Sequence, residues 1–297
     1  MSGHLSYYSA KIEIEFRKSE SFVTKNHHAA TASRDRETST DEISALARGL
    51  SVLRRIAAAD APVSNRELTE LTGIPKPTVS RITATLVGAG FLFRLPDSER
   101  FVLTASVLEL SNGFLRNFDI RARSRPFLIE LAERTSLSVH LAVRDRFDMV
   151  AIDVIRPRSA VLVTRLEVGS RMDIARTAVG RAYLCALGAD ERRELLAALQ
   201  EAHGDDWPLV VARLNPALDE AQRQGYAIAL GEWREGLNAI AAGFVGPSGQ
   251  RYAVNCGGAA QQYPQEWLLD VAVPALRECI AKITREIGGS AWPRRDD

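Results

Sequence analysis

The chain has 297 residues, 46% of them hydrophobic and 25% charged, a composition typical of a folded protein of about two domains. Its net charge is +1, so any affinity for nucleic acid must come from a local surface and not from an overall basic charge. The sequence shows no cysteine spacing typical of a disulfide framework, no metal-ligand pattern, no membrane span and no signal peptide, so we expect a cytoplasmic protein without a cofactor or a membrane partner.

The chain begins with a segment that we expect to be a disordered or weakly ordered arm, residues 1–38. A short alternation at 11–16 stands alone there, and a polar run follows it. Ordered structure should begin near Ser39, which forms a potential capping box with Glu42. A first helix is predicted by apolar residues that should face inward: Ile43, Leu46, Leu50, Leu53 and Ala57.

A second helix is specified by its ends. Ser64 is followed three residues later by Glu67, which is the pattern of a capping box. The helix should place Leu68 and Leu71 inward and end at Gly73, because glycine readily takes the left-handed conformation. The segment therefore forms the first half of a predicted helix-turn-helix.

A third helix follows after a tight turn. Pro77 suits its first turn, and Val79, Ile82 and Leu86 have helical spacing on the inward side. The start and opposite face of this helix carry groups that could contact phosphates or base edges: Lys76, Thr78, Ser80, Arg81 and Thr85. An ordinary solvated helix face would show a similar pattern, so the helix alone leaves both interpretations open.

The residues after this helix favour DNA binding. Segments 91–95 and 101–104 alternate on either side of a turn at 96–100, which predicts a hairpin. A helix-turn-helix followed by a hairpin is a winged helix. Arg94 and Arg100 near the wing would then be available to the DNA backbone. We assign residues 39–104 to this winged helix-turn-helix domain.

Residues 105–118 are predicted to form a linker helix. Its apolar residues cover more than one narrow stripe: Val107, Leu108, Leu110, Phe114 and Leu115. Such a helix packs against two partners. It either closes the winged domain or also pairs with its counterpart in a second chain, which would make the protein a homodimer.

Residues 119–290 mix short strands with helices, which predicts an α+β domain. The expected strands lie at 138–143, 149–155, 161–166, 226–230, 237–244 and 252–255. The expected helices lie at 126–134, 177–187 and 190–199, and a long closing helix ends at Gly288.

Four stretches carry a resemblance to a known family: 45–53, 73–81, 168–182 and 236–242. With them, residues from 43 to about 290 resemble an IclR-family transcriptional regulator. The resemblance implies a winged helix-turn-helix, a linker helix and a GAF-like effector-binding domain. It also implies dimers or tetramers that bind palindromic DNA operators, as repressors or activators, and respond to small organic, often aromatic, acids. Two departures leave the effector unidentified. Of the acidic residues common in relatives at 229–232, only Glu232 is present, and Asn238 occupies a position that is often sulfur-bearing or small in relatives.

An effector site is expected at the helix that starts near Thr177. Thr177 looks like its N-cap, so the amides of Ala178 and the next residue would attract an anion. Arg176 could add a charge-assisted hydrogen bond to a carboxylate. Asn238, Asn255 and Cys256 fall on late strands expected to face this helix. Alternatively, Thr177 only caps its own helix and Arg176 is solvated.

Two other functional classes compete with a ligand-responsive regulator. A thiol-dependent redox enzyme or sensor would use Cys256, but the sequence shows no resolving partner, and buried cysteines are usually inert. A DNA-binding protein without a ligand would not need so large a C-terminal core. We therefore predict a regulator that is not an enzyme.

Overall fold

The computed structural model of the protein describes residues 44–96, 98–157 and 166–292. The arm at 1–38, the cap at Ser39 and all of the strand expected at 161–166 except Leu166 lie outside these ranges. Contacts divide the chain into two compact units, with the boundary between Asn117 and Phe118. Each unit has an apolar core of its own.

The N-terminal unit is a helix-turn-helix followed by a hairpin. Its elements are α1 (Ser44–Ala57), α2 (Asn65–Thr72), α3 (Lys76–Gly88), β1 (Leu92–Arg94), β2 (Phe101–Leu103) and α4 (Ser106–Leu115). The two strands are antiparallel, and a bridge between Val63 and Phe101 joins the hairpin to the chain before α2. The predicted winged helix is therefore confirmed.

The ends of α2 form as their residues predict. The Ser64 N–H donates to Glu67 Oε2 at 2.7 Å, and the Glu67 N–H donates to Ser64 Oγ at 3.3 Å, which completes the capping box. Gly73 closes the helix with φ +67°. The inward position predicted for Leu71 is wrong, since this side chain is 50% exposed. Only Leu68 of this short helix reaches the core, because α2 has just two turns.

The apolar stripe predicted for α1 is also displaced. Leu46 and Leu50 are 60% and 47% exposed, whereas Val52 and Ile56 are buried. The second half of α1 packs into the core of the unit, and its first half does not. The leucines at the start of α1 therefore lie on the surface of a single chain.

The C-terminal unit is built on an antiparallel sheet with helices on both faces. Its strands are β3 (Ser138–Asp145), β4 (Asp148–Ile155), β5 (Arg171–Asp173), β6 (Ala227–Leu230), β7 (Leu237–Val245), β8 (Arg251–Ala259) and β9 (Ser290–Ala291). The order in the sheet is β5-β4-β3-β8-β7-β6, and β9 pairs with β7. The expected α+β class is confirmed.

The helices of this unit are α5 (Asp119–Thr135), α6 (Ala178–Cys185), α7 (Ala189–His203), α8 (Trp207–Gln224), α9 (Gln265–Trp267) and α10 (Val273–Ile287), with a π-helical turn at Leu268–Ala272. α5 packs against α10, while α6 packs against α8 and against β7 and β8.

Helix α6 lies against neighbouring backbone with no space for extra side-chain atoms. A Cβ on Gly180 would lie 2.0 Å from the carbonyl oxygen of Ile174. A Cβ on Gly243 of β7 would lie 2.7 Å from the carbonyl oxygen of Ala182. Gly180 therefore allows the helix to lie close to the segment after β5, and Gly243 allows it to lie close to β7.

Some elements differ from those predicted. α5 begins at Asp119, seven residues before the predicted start, and Pro126 lies inside it. Ile120 and Ser124 lie in the turns before Pro126, and both are buried. The packing of these turns outweighs the loss of the backbone hydrogen bond that Pro126 cannot donate. α8 and β5 were not predicted, and β8 continues to Ala259 instead of ending at Asn255.

Candidate DNA-binding face and effector cavity

The outer face of α3 presents exposed side chains beside two half-buried ones. Lys76, Arg81 and Thr85 are exposed, whereas Thr78 and Ser80 are half-buried. The Thr85 hydroxyl donates to the Arg81 carbonyl oxygen at 2.9 Å. The face therefore offers a cation at its start, a guanidinium at its middle and a hydroxyl one turn later.

Asn65 fixes the crossing of α2 and α3. Its Nδ2 donates to Ser80 Oγ at 3.4 Å, and its Oδ1 accepts from the hydroxyl of buried Thr83 at 3.0 Å. Sequence analysis did not identify this contact, although Asn65 follows the N-cap directly. Ser80 is thus partly engaged inside the unit, while Arg81 points outward.

The two wing arginines have different surroundings. Arg94 is exposed and pairs with Glu99 of the same hairpin. Arg100 donates to the Pro62 carbonyl oxygen at 2.7 Å and to Glu67 Oε2 at 2.8 Å. Hydrogen bonds from Ser64 lower the pKa of Glu67, and Arg100 acts in the same direction. Arg100 therefore ties the wing to the start of α2, a contact that the sequence did not indicate.

A cavity of about 600 Å³, including its open mouth, lies in the C-terminal unit. The sheet and the start of α6 contribute most of its wall, with further residues from the β6–β7 loop. The lining residues are Ser138, His140, Leu166, Met172, Thr177, Ala178, Val179, Ala229, Trp233, Leu237, Ala239, Asn255, Gly257 and Gly258.

The start of α6 is capped by the side chain of Thr177. The Thr177 hydroxyl donates to the Asp173 carbonyl oxygen at 2.6 Å and accepts from the Gly180 N–H at 3.2 Å, so the predicted N-cap is confirmed. Ala178 and Val179 line the cavity in the first helical turn, where N–H groups have no intrahelical acceptor. A helix start of this kind favours an anion.

The sheet contributes a polar pair to the cavity. His140 on β3 is paired in register with Asn255 on β8, and their side chains are only 4% and 6% exposed. Burial lowers the pKa of His140 to about 4, the positive charge of Arg156 adds to this effect, and the Asn255 side chain opposes it. His140 is therefore neutral at pH 7.

The rest of the lining is largely apolar and includes Trp233 in the β6–β7 loop. That loop is anchored by a partly buried ion pair, in which Arg181 of α6 donates to Glu232 Oε1 at 2.8 Å and Oε2 at 2.6 Å. Arg181 is 2% exposed and also donates to the Ile228 carbonyl oxygen at 3.1 Å. This pairing was not predicted from the sequence, because Arg181 and Glu232 are 51 positions apart and neither has a local pattern that indicates it.

The structure brings together only part of the predicted effector set. Thr177, Ala178 and Asn255 line the cavity, whereas Arg176, Asn238 and Cys256 do not. Arg176 is exposed. Asn238 donates to the Tyr263 carbonyl oxygen at 3.0 Å, and Cys256 lies on the opposite sheet face from its neighbour Asn255 because side chains alternate along a strand. His140 was missed, although a histidine within an apolar strand is a usable signal.

The cysteines do not have the properties of reactive thiols. All of them are buried, and burial raises the pKa of Cys185 and of Cys279 to about 12. Burial also raises the pKa of the Cys256 thiol. Because the thiolate is the reactive form, the geometry gives no support to a redox enzyme. Within the described ranges, no group of side chains could hold a metal ion, and no helix is long and apolar enough to cross a membrane.

Comparisons with known proteins match both units. The IclR helix-turn-helix domain matches residues 45–96, and the C-terminal domain of the bacterial transcriptional regulator IclR matches residues 112–285. The HTH-type transcriptional regulator TsaQ1/TsaQ2 of Comamonas testosteroni is 31% identical over 270 residues, which are 90% of this chain and 96% of that protein.

Solved structures agree with this result. An IclR family transcriptional regulator from Brucella abortus is 35% identical with a TM-score of 0.71, covering 86% of this chain and 96% of that one. An IclR homolog from Microbacterium hydrocarbonoxydans, complexed with 4-hydroxybenzoate, is 21% identical with a TM-score of 0.65, covering 82% of this chain and 99% of that one. At that identity the likeness shows the fold alone. The relatives are named as regulators and not as enzymes, and the chain belongs to the IclR family of bacterial transcriptional regulators.

Proposed function

We propose that the protein binds a palindromic operator as a dimer or tetramer and changes its DNA affinity when a small organic acid occupies the cavity. The observation that carries this proposal is the capped, anion-attracting start of α6 inside an otherwise largely apolar cavity. A repressor and an activator would use the same parts. Because its target is chromosomal DNA, we place the protein in the cytoplasm.

The DNA contacts are proposed for the N-terminal unit. Arg81, with Ser80 and Thr85, would face the major groove, while Lys76, Thr78 and Arg94 would contact phosphates. Arg100 is a weaker candidate than the sequence suggested, because its guanidinium already has partners at Pro62 and Glu67.

The exposed apolar surface of the N-terminal unit supports a homo-oligomer. Leu46 and Leu50 of α1 and Leu108, Leu110 and Phe114 of α4 are exposed in the single chain. Exposed apolar side chains concentrated on two helices of one unit are typical of a surface that contacts another protein. We keep the proposed bounds of 39–104 for the DNA-binding domain, 105–118 for the linker helix and 119–290 for the effector domain. A two-fold dimer would read half-sites separated by whole turns of DNA.

The effector is proposed to place its carboxylate against the N–H groups of Ala178 and Val179. These groups bring partial positive charge without a side chain, and Thr177 holds them in place. The remainder of the ligand would lie against Leu166, Met172 and Trp233. This apolar wall suits an aromatic acid.

Thr177→Val, which keeps the side-chain shape and removes the capping hydroxyl, tests the proposal. Calorimetry against benzoate, hydroxybenzoates and short aliphatic acids should show acid binding to the unaltered chain and none to the variant. In gel-shift titrations with DNA selected from a random pool, the acid should change operator affinity by about five- to 150-fold in the unaltered chain only. Ligand-free DNA binding should be equal in both, because the substitution lies in the other unit.

Arg176→Gln is the matched control, since Arg176 adjoins Thr177 but is exposed and does not line the cavity. It should retain the acid response. If no acid binds the unaltered chain, or if the Thr177 variant binds one normally, the effector site does not lie at the start of α6.

A further inference from the structure

Two polar atoms in the cavity wall lack partners. His140 and Asn255 lie opposite each other on β3 and β8, and both side chains are more than nine-tenths buried. Within the described part of the chain, neither His140 Nδ1 nor Asn255 Oδ1 has a hydrogen-bond partner. Buried polar groups in proteins are nearly always paired, so these atoms indicate a partner that enters the cavity.

The chemistry of the two atoms limits what that partner is. An amide oxygen only accepts hydrogen bonds, so Asn255 Oδ1 requires a donor. His140 is neutral at pH 7, because burial holds its pKa near 4, and a neutral imidazole has one nitrogen that donates and one that accepts. A single hydroxyl can therefore donate to Asn255 Oδ1 and accept from an N–H at His140 Nδ1. A carboxylate cannot, because it has no proton to donate.

We propose that His140 and Asn255 form a hydroxyl-recognising subsite and that the effector is a hydroxy acid. Its hydroxyl would lie between these two side chains, and its carboxylate would lie at the start of α6. The carboxylate half rests on the proposed function, whereas the hydroxyl half rests on the sheet pair alone. The apolar residues Leu166, Met172 and Trp233 would contact the part of the ligand that joins the two groups.

Calorimetric titration of the full chain with matched ligands tests the subsite. The probes are benzoate, 3- and 4-hydroxybenzoate, and the methyl ethers of the two hydroxy acids. At least one hydroxybenzoate should bind about ten- to hundredfold more tightly than benzoate, because it pairs polar atoms that benzoate leaves unpaired. Its methyl ether accepts but cannot donate, and it should bind no more tightly than benzoate.

Two variants assign this preference to the pair. Asn255→Leu should remove the hydroxyl advantage, so that the preferred hydroxybenzoate and benzoate bind this variant with similar affinity. Ser138→Ala is the matched control, because Ser138 also lines the cavity from β3. It should keep the advantage. Circular dichroism verifies folding, and if Asn255→Leu fails to fold, the ligand series on the unaltered chain decides.

The outcomes separate the two halves of the proposal. Equal binding of benzoate and the hydroxybenzoates, a tighter methyl ether, or an advantage that survives Asn255→Leu overturns the subsite and leaves the carboxylate site standing. The neutral probe 4-methylphenol carries the hydroxyl without the acid. If it binds in an Asn255-dependent way while no acid binds, the subsite stands and the carboxylate site fails. If neither class binds, both fail.

Discussion

Gly180→Ala offers a direct test of the packing that shapes the cavity. The added methyl group would lie 2.0 Å from the Ile174 carbonyl oxygen and within 2.5 Å of two further backbone atoms of that residue. Backbone atoms cannot rotate aside as a flexible side chain can. We therefore expect the overpacking to lower the free energy of unfolding by about 3 kcal/mol, the upper end of the usual range. Alanine's better helix propensity offsets about 1 kcal/mol of this. The net loss in the free energy of unfolding should therefore be about 2 kcal/mol.

Urea unfolding followed by tryptophan fluorescence reports on the C-terminal unit, because all four tryptophans of the chain lie there. With a slope of about 2 kcal/mol per molar urea, the midpoint should fall by about 1 M. Gly188→Ala is the matched control, since its methyl group would meet only a Glu191 carboxylate oxygen at 3.6 Å. Its midpoint should fall by less than about 0.5 M. An unchanged midpoint for Gly180→Ala would refute the argument from close packing.

Three further predictions concern charge, DNA and assembly. Because the folded pKa of His140 is about 4 against 6.5 for a free side chain, the unfolded chain binds more protons between these values, and stability should fall as pH drops from 6.5 to 4. His140→Gln should flatten that slope in urea titrations across the window, and an unaltered slope would contradict the burial argument. Arg81→Ala should lower the binding free energy for the cognate operator by about 1–3 kcal/mol. Arg94→Ala should weaken binding to all DNA sequences alike and reduce the salt dependence of DNA affinity. Identical gel-shift profiles for the two variants would contradict this division. Leu110→Glu should shift sedimentation toward monomer, while Leu209→Glu, at an exposed leucine of the other unit, should not.

Local signals predicted the N-terminal unit well. A capping box, a left-handed glycine and a hairpin each depend on a few neighbouring residues, so Ser64, Glu67 and Gly73 could be interpreted without tertiary information. The buried residues of α1 were harder to predict from the sequence. Leu46 and Leu50 have the spacing of a core stripe, but the core contacts only the later turns of that helix.

The candidate effector cavity could be predicted only where a single segment forms its wall. Thr177 and Ala178 follow from a capped helix start, and Asn255 follows from its place on a late strand. The predictions for adjacent residues were wrong because side chains alternate between the two faces of a strand. Strand register decides that Asn255 faces the cavity and that Cys256 does not, and a sequence cannot show which alternate set faces which helix.

Contacts distant in sequence gave no signal at all. Arg100 meets Glu67 across 33 positions, and Arg181 meets Glu232 across 51. An arginine with a distant carboxylate looks the same in a sequence as one that meets DNA or solvent. Helix α8 is a different case. Val210, Leu214 and Leu218 repeat every four residues and Gly225 ends the helix, a pattern that is typical of an amphipathic helix.

The pairing of Arg181 with Glu232 has an evolutionary consequence. Removing Glu232 leaves the 2% exposed guanidinium of Arg181 without its carboxylate, a change that typically lowers the free energy of unfolding by about 3–5 kcal/mol. Replacing both residues with packed apolar side chains leaves no such charge. The two positions should therefore change together in descendants of this sequence. His140 and Asn255 do not form an ion pair, so a substitution at either position leaves no unpaired buried charge. In the proposed subsite, such substitutions would change the preference for the ligand. New ligand specificities should then arise on the sheet wall of the cavity while the ion pair beneath its loop is inherited intact.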